Sequence, residues 1–115
     1  MRLKDLVEPL GLEVRCGHEK LNTEVRGGYV SDLMSDVMAH AKEGDLWVTL
    51  QTHANTAAVA AMKELAGVVL IGGREPEKET LEKARAKGVP LLVSRLPAFE
   101  LAGRLYTMGV RGLKP

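Results

Sequence analysis

Three short, unbroken apolar runs recur at a nearly constant interval: Leu46-Trp47-Val48-Thr49-Leu50, Val68-Val69-Leu70-Ile71 and Leu91-Leu92-Val93. Apolarity that is continuous rather than alternating marks strands covered on both faces, the condition of a parallel sheet between helices. Trp47 to Val68 is 21 residues and Val68 to Leu91 is 23, room for a loop, a helix and a second loop each time. Such spacing belongs to successive βαβ units. The pattern predicts an α/β fold, a three-layer sandwich with a mostly parallel central sheet.

A further interval upstream, Val25-Arg26-Gly27-Gly28-Tyr29-Val30 predicts a fourth strand, and Leu12-Glu13-Val14-Arg15 an edge strand after a short helix from Leu3 to Leu10. Met34, Val37, Met38 and Ala41 fall on one helical face, with Ser31 or Asp32 as the N-cap. Asn55 or Thr56 caps an Ala-rich helix that carries Val59, Met62 and Leu65 and ends at Gly67. A charged helix begins near Pro76, turns Leu81 and Ala84 inward and closes at Gly88. The last helix starts at Pro97 and aligns Leu101, Leu105 and Met108, after which residues 110–115 read as a frayed tail.

With 115 residues the chain has the length of a single domain, 1–115. Its 45% apolar and 27% charged residues are those of an ordinary globular protein. Sixteen basic residues against fifteen acidic leave a net charge of +1, and four aromatic residues build no base-stacking platform, so nucleic acid is not the expected partner. The aliphatic run Val68 to Ile71 is four residues, far below the ~20 a membrane helix needs. One cysteine, Cys16, and a charged start without an apolar leader point to a cytoplasmic protein. Cys16 and His18 are two metal ligands where a zinc site takes three or four, so no metal is expected, and no cofactor either.

Ligands of open parallel sheets bind beyond the C-terminal strand ends, where loops meet helix N-termini. Gln51, Thr52, His53, Asn55 and Thr56 gather an amide, two hydroxyls, an imidazole and a second amide in the loop after the first run. Gly72 and Gly73 after the second would let a ligand approach the backbone, with their amides and Arg74 meeting an anion and Arg95 adding charge from the next strand. These nine residues form the expected site for a small anionic, phosphate-bearing ligand. Ser31, Asp32 and His53, with Asn55, are the types a small hydrolase would use, but no G-x-S-x-G elbow accompanies them. No catalytic residue is therefore assigned. Neither G-x-x-x-x-G-K-[ST] nor G-x-G-x-x-G occurs, which argues against an ATP-driven kinase. The methionine-rich helix from Met34 to Met38, with Leu101, Leu105 and Met108, offers apolar surface that predicts a homo-oligomer.

Val68 to Pro76, read with the charged helix and Gly88-Val89-Pro90-Leu91-Leu92-Val93, resembles the DRTGG domain over residues 25–108. The loop after Leu50 reads Gln-Thr-His-Ala-Asn-Thr where other members tend to carry an Asp-Arg pair. The resemblance implies an α/β fold related to the N-terminal domains of HPr kinase/phosphorylase and of the murein ligase MurF. It also implies a regulatory rather than catalytic role, since such domains accompany CBS domains in regulated pyrophosphatases and precede long phosphate acetyltransferases. A metabolic enzyme is the partner class that follows. An oligomerising scaffold is the alternative to ligand sensing.

Overall fold

A computed structural model describes residues 1–114. In chain order the elements are α1 (Lys4–Leu10), β1 (Glu13–Cys16), a 3-10 turn (His18–Lys20), β2 (Gly27–Val30), α2 (Met34–His40), β3 (Asp45–Thr49), α3 (Ala54–Met62), β4 (Gly67–Leu70), α4 (Lys78–Lys87), β5 (Leu91–Val93) and α5 (Ala98–Thr107). The five strands form one sheet in the order β1-β5-β4-β3-β2. Strands β2 to β5 run parallel, and β1 pairs antiparallel with β5. The three apolar runs are the three central strands, as their spacing predicts.

Strand alternation divides these runs between two cores. Trp47, Val68, Leu70, Leu91 and Val93 pack with Val37 of α2, Ala57 and Ala60 of α3 and Ala84 of α4. Leu46, Val48, Val69, Ile71 and Leu92 pack on the other face with Leu3 at the N-cap of α1, Leu6 of α1, and Leu101 and Leu105 of α5. The result is a three-layer α/β sandwich with α2, α3 and α4 on one side and α1 and α5 on the other. No helix among the described residues is long and apolar enough to cross a membrane.

Several local expectations are corrected. Strand β2 begins at Gly27, because the Val25 amide is bonded to the Met1 carbonyl and that of Arg26 to Gly44. Neither Ser31 nor Asp32 caps α2, whose N-cap is Leu33 with no side-chain bond. His53 rather than Asn55 or Thr56 caps α3, its Nδ1 accepting the Asn55 amide at 3.1 Å. That helix ends at Met62, and Glu64 takes the left-handed conformation (φ 54°) expected at Gly67. Gly67 instead opens β4, where a Cβ would lie 3.2 Å from the Pro90 carbonyl oxygen, so its use is close approach of the chain. Helix α4 starts at Lys78, two residues after Pro76. Residues 110 and 111 are anchored rather than frayed. Val110 is buried, the Gly28 amide donates to the Arg111 carbonyl at 2.9 Å along the edge of β2, and the Arg111 guanidinium stacks 3.9 Å above the Tyr106 ring. Pro115 lies outside the described residues.

Candidate functional site

Neighbouring connections diverge between the ends of β4 and β5. The chain leaving β4 turns to α4 on one face, and the chain leaving β5 turns to α5 on the other. Divergence of this kind opens a crevice at the strand ends of many open sheets. Here the backbone closes it. The Gly72 amide donates to the Leu96 carbonyl at 2.9 Å, and the Gly73 amide to Ser94 at 2.8 Å. Both glycines are left-handed (φ 64° and 70°), the conformation that lets the chain turn back into those bonds. The amides expected to meet an anion are therefore committed to the turn.

The Gln51-to-Thr56 loop is held by threonine hydroxyls. Thr49 Oγ1 donates to Asp32 Oδ1 at 3.0 Å and accepts the Gln51 amide at 3.2 Å. Asp32 Oδ1 also accepts the Leu50 amide at 2.7 Å, and Gln51 Nε2 donates to the Asp32 carbonyl at 2.8 Å. The buried Thr56 hydroxyl donates to the Gln51 carbonyl at 3.0 Å. From α4, the fully buried Thr80 donates to the Thr52 carbonyl at 2.5 Å, and the Glu77 amide reaches the same oxygen at 3.3 Å. Thr49 and Thr80 were not among the expected site residues, since a threonine in an apolar run or on a charged helix carries no sign of its partner. After these commitments the Thr52 hydroxyl, the Asn55 side-chain amide and His53 Nε2 remain without a partner among the described residues.

The arginines of the rim differ sharply. Arg15 of β1 makes two bonds to Glu75, at 2.7 and 2.6 Å, and one to Glu13 at 2.7 Å. These bonds, Glu75 first, raise the guanidinium pKa further and hold the Glu75 carboxyl below its usual range. Arg95 is highly exposed and reaches Glu13 only at 3.8 Å. The Arg74 side chain makes no hydrogen bond or ion pair among the described residues, and its Nη1 lies 2.8 Å from where a Cβ on Gly72 would stand. The guanidinium thus lies across the glycine turn. The positive end of α4, expected to face the anion, is already answered by Glu77 and Glu79.

Ser31, Asp32 and His53 do not assemble as a nucleophile, orienter and base. Ser31 Oγ accepts the Leu33 amide, Asp32 holds the start of the β3–α3 loop, and His53 Nδ1 is spent on its cap, so the ring proton sits on Nε2. A separate cluster forms beside α2. Tyr29 donates to Asp36 at 2.7 Å, and His40 Nδ1 lies 3.1 Å from the other Asp36 oxygen. Chiefly through the Tyr29 bond, the Asp36 pKa is lowered and that of Tyr29 raised. Cys16 is buried with its thiol directed at the Val89 carbonyl, and burial pushes its pKa up. No group of three or more potential metal ligands occurs among the described residues.

Two grooves flank α5, and none of the nine expected residues lines either. One of about 190 Å³ lies between α5 and the edge of β2, with Tyr29, Val48, Leu105 and Val110 on its walls. The other, about 500 Å³, lies between α5 and the end of α1.

No curated protein matches the chain. Among solved structures, one similar in fold is the crystal structure of the CBS and DRTGG domains of the regulatory region of Clostridium perfringens pyrophosphatase, complexed with its activator, diadenosine tetraphosphate. The TM-score is 0.75 at 19% identity, covering 96% of this chain and 47% of that one, so the present chain spans about half the length of its neighbour. The DRTGG domain model matches residues 5–108, taking in α1 and β1 upstream of the segment whose motifs carry the resemblance. Matched over nearly its whole length, the chain belongs to the DRTGG domain family.

Proposed function

We propose that this chain is a non-catalytic regulatory module that binds a small phosphate-bearing anion at the rim of Arg74, Arg95 and the Gln51-to-Thr56 loop, and acts on a metabolic enzyme. The observation that carries the reading is the Arg74 guanidinium, exposed and unpaired among the described residues while Arg15 is saturated by two carboxylates. Two further supports are family membership and the neighbour's place in a pyrophosphatase regulatory region solved with a polyphosphate activator. With the Gly72 and Gly73 amides committed, affinity rests on the two arginines and on the free polar groups of Thr52, His53 and Asn55. A charge-assisted hydrogen bond contributes about 1.5–3 kcal/mol, more than tenfold in Kd.

Calorimetry with diadenosine tetraphosphate, ATP and pyrophosphate tests this. Binding of at least one is expected, weakened about tenfold or more in Arg74→Ala, with the ligand recovered chemically unchanged. Gly73→Val is a poor companion variant because its left-handed φ strains the fold. Arg95→Ala serves instead. Failure of all three compounds to bind, or binding by both arginine variants as tight as the parent's, overturns the assignment.

A further inference from the structure

Leu101 and Leu105, expected to supply spare apolar surface for self-association, lie in the core, so the outward face of α5 is a different set of residues. Directly opposite the buried stripe, by helical geometry, stand Phe99, Gly103 and Tyr106. Phe99 is 86% exposed and Tyr106 59%. A Cβ built on Gly103 would meet nothing within 4 Å. Phe99 and Gly103 are one turn apart on the same face, about 6 Å between their positions. A large apolar knob therefore stands beside an empty hole. Glu100 and Arg104 flank this stripe on the side of the 500 Å³ groove, and neither makes an ion pair among the described residues.

We propose that this face of α5 docks a second copy of the chain, the two helices packing antiparallel about a two-fold axis. The patch is complementary to itself in shape and in charge. A two-fold operation that lays Phe99 of one chain over Gly103 of the other also performs the reverse, and brings each Glu100 to the other chain's Arg104. An isologous interface requires this property, that one patch hold both halves of every contact. An unrelated partner would satisfy the knob or the hole, and one sign of charge, without calling for both. One helix pair lies at the small end of specific interfaces, so association belongs in the micromolar range. The inference is independent of the anion site, which uses none of these residues.

Sedimentation of the full chain at tens to hundreds of micromolar is the test, with twice the 12.5 kDa chain mass expected. Phe99→Asp and Gly103→Leu, one removing the knob and the other filling the hole, should each sediment as monomers. Both sites are exposed, so circular dichroism should show the fold intact. The decisive experiment exchanges the charges. Glu100→Arg alone and Arg104→Glu alone place like charges opposite each other, and each should dimerise about tenfold more weakly than the parent. Mixing the two variants one to one restores both opposite-charge pairs in a heterodimer and should recover the parent's affinity. A monomeric parent at these concentrations overturns the proposal. So does a dimer indifferent to Phe99→Asp, or a mixture no tighter than its components.

Discussion

Thr80→Val removes a single hydroxyl that joins the candidate site to the scaffold. Thr80 is fully buried on α4, and its Oγ1 donates to the carbonyl of Thr52 at 2.5 Å. Valine nearly matches threonine in volume, so the change leaves packing in place and deletes the hydrogen bond. A buried carbonyl left wholly unpaired costs about 1–3 kcal/mol, whereas a hydrogen bond lost with its acceptor still served contributes about 0.5–1.5 kcal/mol. The second case applies, because the Glu77 amide still reaches Thr52 O at 3.3 Å. The expected loss is about 1 kcal/mol, or about 4 °C in Tm for a chain of this size. Trp47, the sole tryptophan and fully buried, reports unfolding through its fluorescence, so urea and thermal titrations can share one signal. Thr80→Ser, which keeps the hydroxyl and loses about 0.8 kcal/mol of methyl burial, separates the two contributions. Equal stability of Thr80→Val and the parent would show that packing alone seats the loop, and would remove the hydroxyl from the account of the rim.

Gly17→Ala would set a Cβ 2.5 Å from the Pro90 Cα, a backbone atom that cannot swing aside, and is expected to cost about 3 kcal/mol or more, read by urea denaturation. Glu64→Gly should raise Tm by relieving the left-handed glutamate. Glu43 hydrogen-bonded beside it raises the Glu64 pKa, so the folded state keeps a proton that the unfolded state has released, and stability falls as pH rises from about 4.5 through the raised value. That slope should be absent in Glu64→Gly. Arg15→Gln frees Glu75, whose lowered pKa makes its contribution present above about pH 4.5 and lost as pH falls through the folded value. Because Glu75 is 57% exposed, the loss at neutral pH should stay below about 1 kcal/mol and shrink in high salt.

The strands and layers were legible because burial on both faces leaves a mark in the chain itself. Leu46, Trp47 and Val48 are apolar without a break, since Trp47 faces α2 and α3 while its neighbours face α1 and α5. Helix ends were less legible, for a physical reason. Serine, aspartate, asparagine and threonine cap helices and also make distant tertiary bonds, and composition does not say which use prevails. Asp32 is spent on Leu50 and Thr49, across a strand end, so α2 starts without it. His53 took the cap of α3 because Thr56 turned its hydroxyl to the Gln51 carbonyl. Val110, one apolar residue between Gly109 and Arg111, was the available sign that the chain is anchored beyond α5.

The rim shows the same division at the level of single atoms. Residue type led to the expectation that polar groups gather at one edge, because parallel strands deliver their loops there whatever those loops contain. It did not predict which groups stay free, since that depends on partners far along the chain. Gly72 and Gly73 read as open amides until Ser94 and Leu96, some twenty residues on, take both. Arg15 and Arg74 are equivalent as letters, yet β1 pairs antiparallel with β5 and so brings Arg15 to Glu75, while the Arg74 side chain beside it has no partner among the described residues. The edge strand thus decides the chemistry of the rim. If Arg15 were lost, Glu75 would stand free one residue from Arg74 and compete with any anion there. Arg15→Gln should for that reason weaken the proposed phosphate binding as well as stability, although Arg15 itself need touch no ligand.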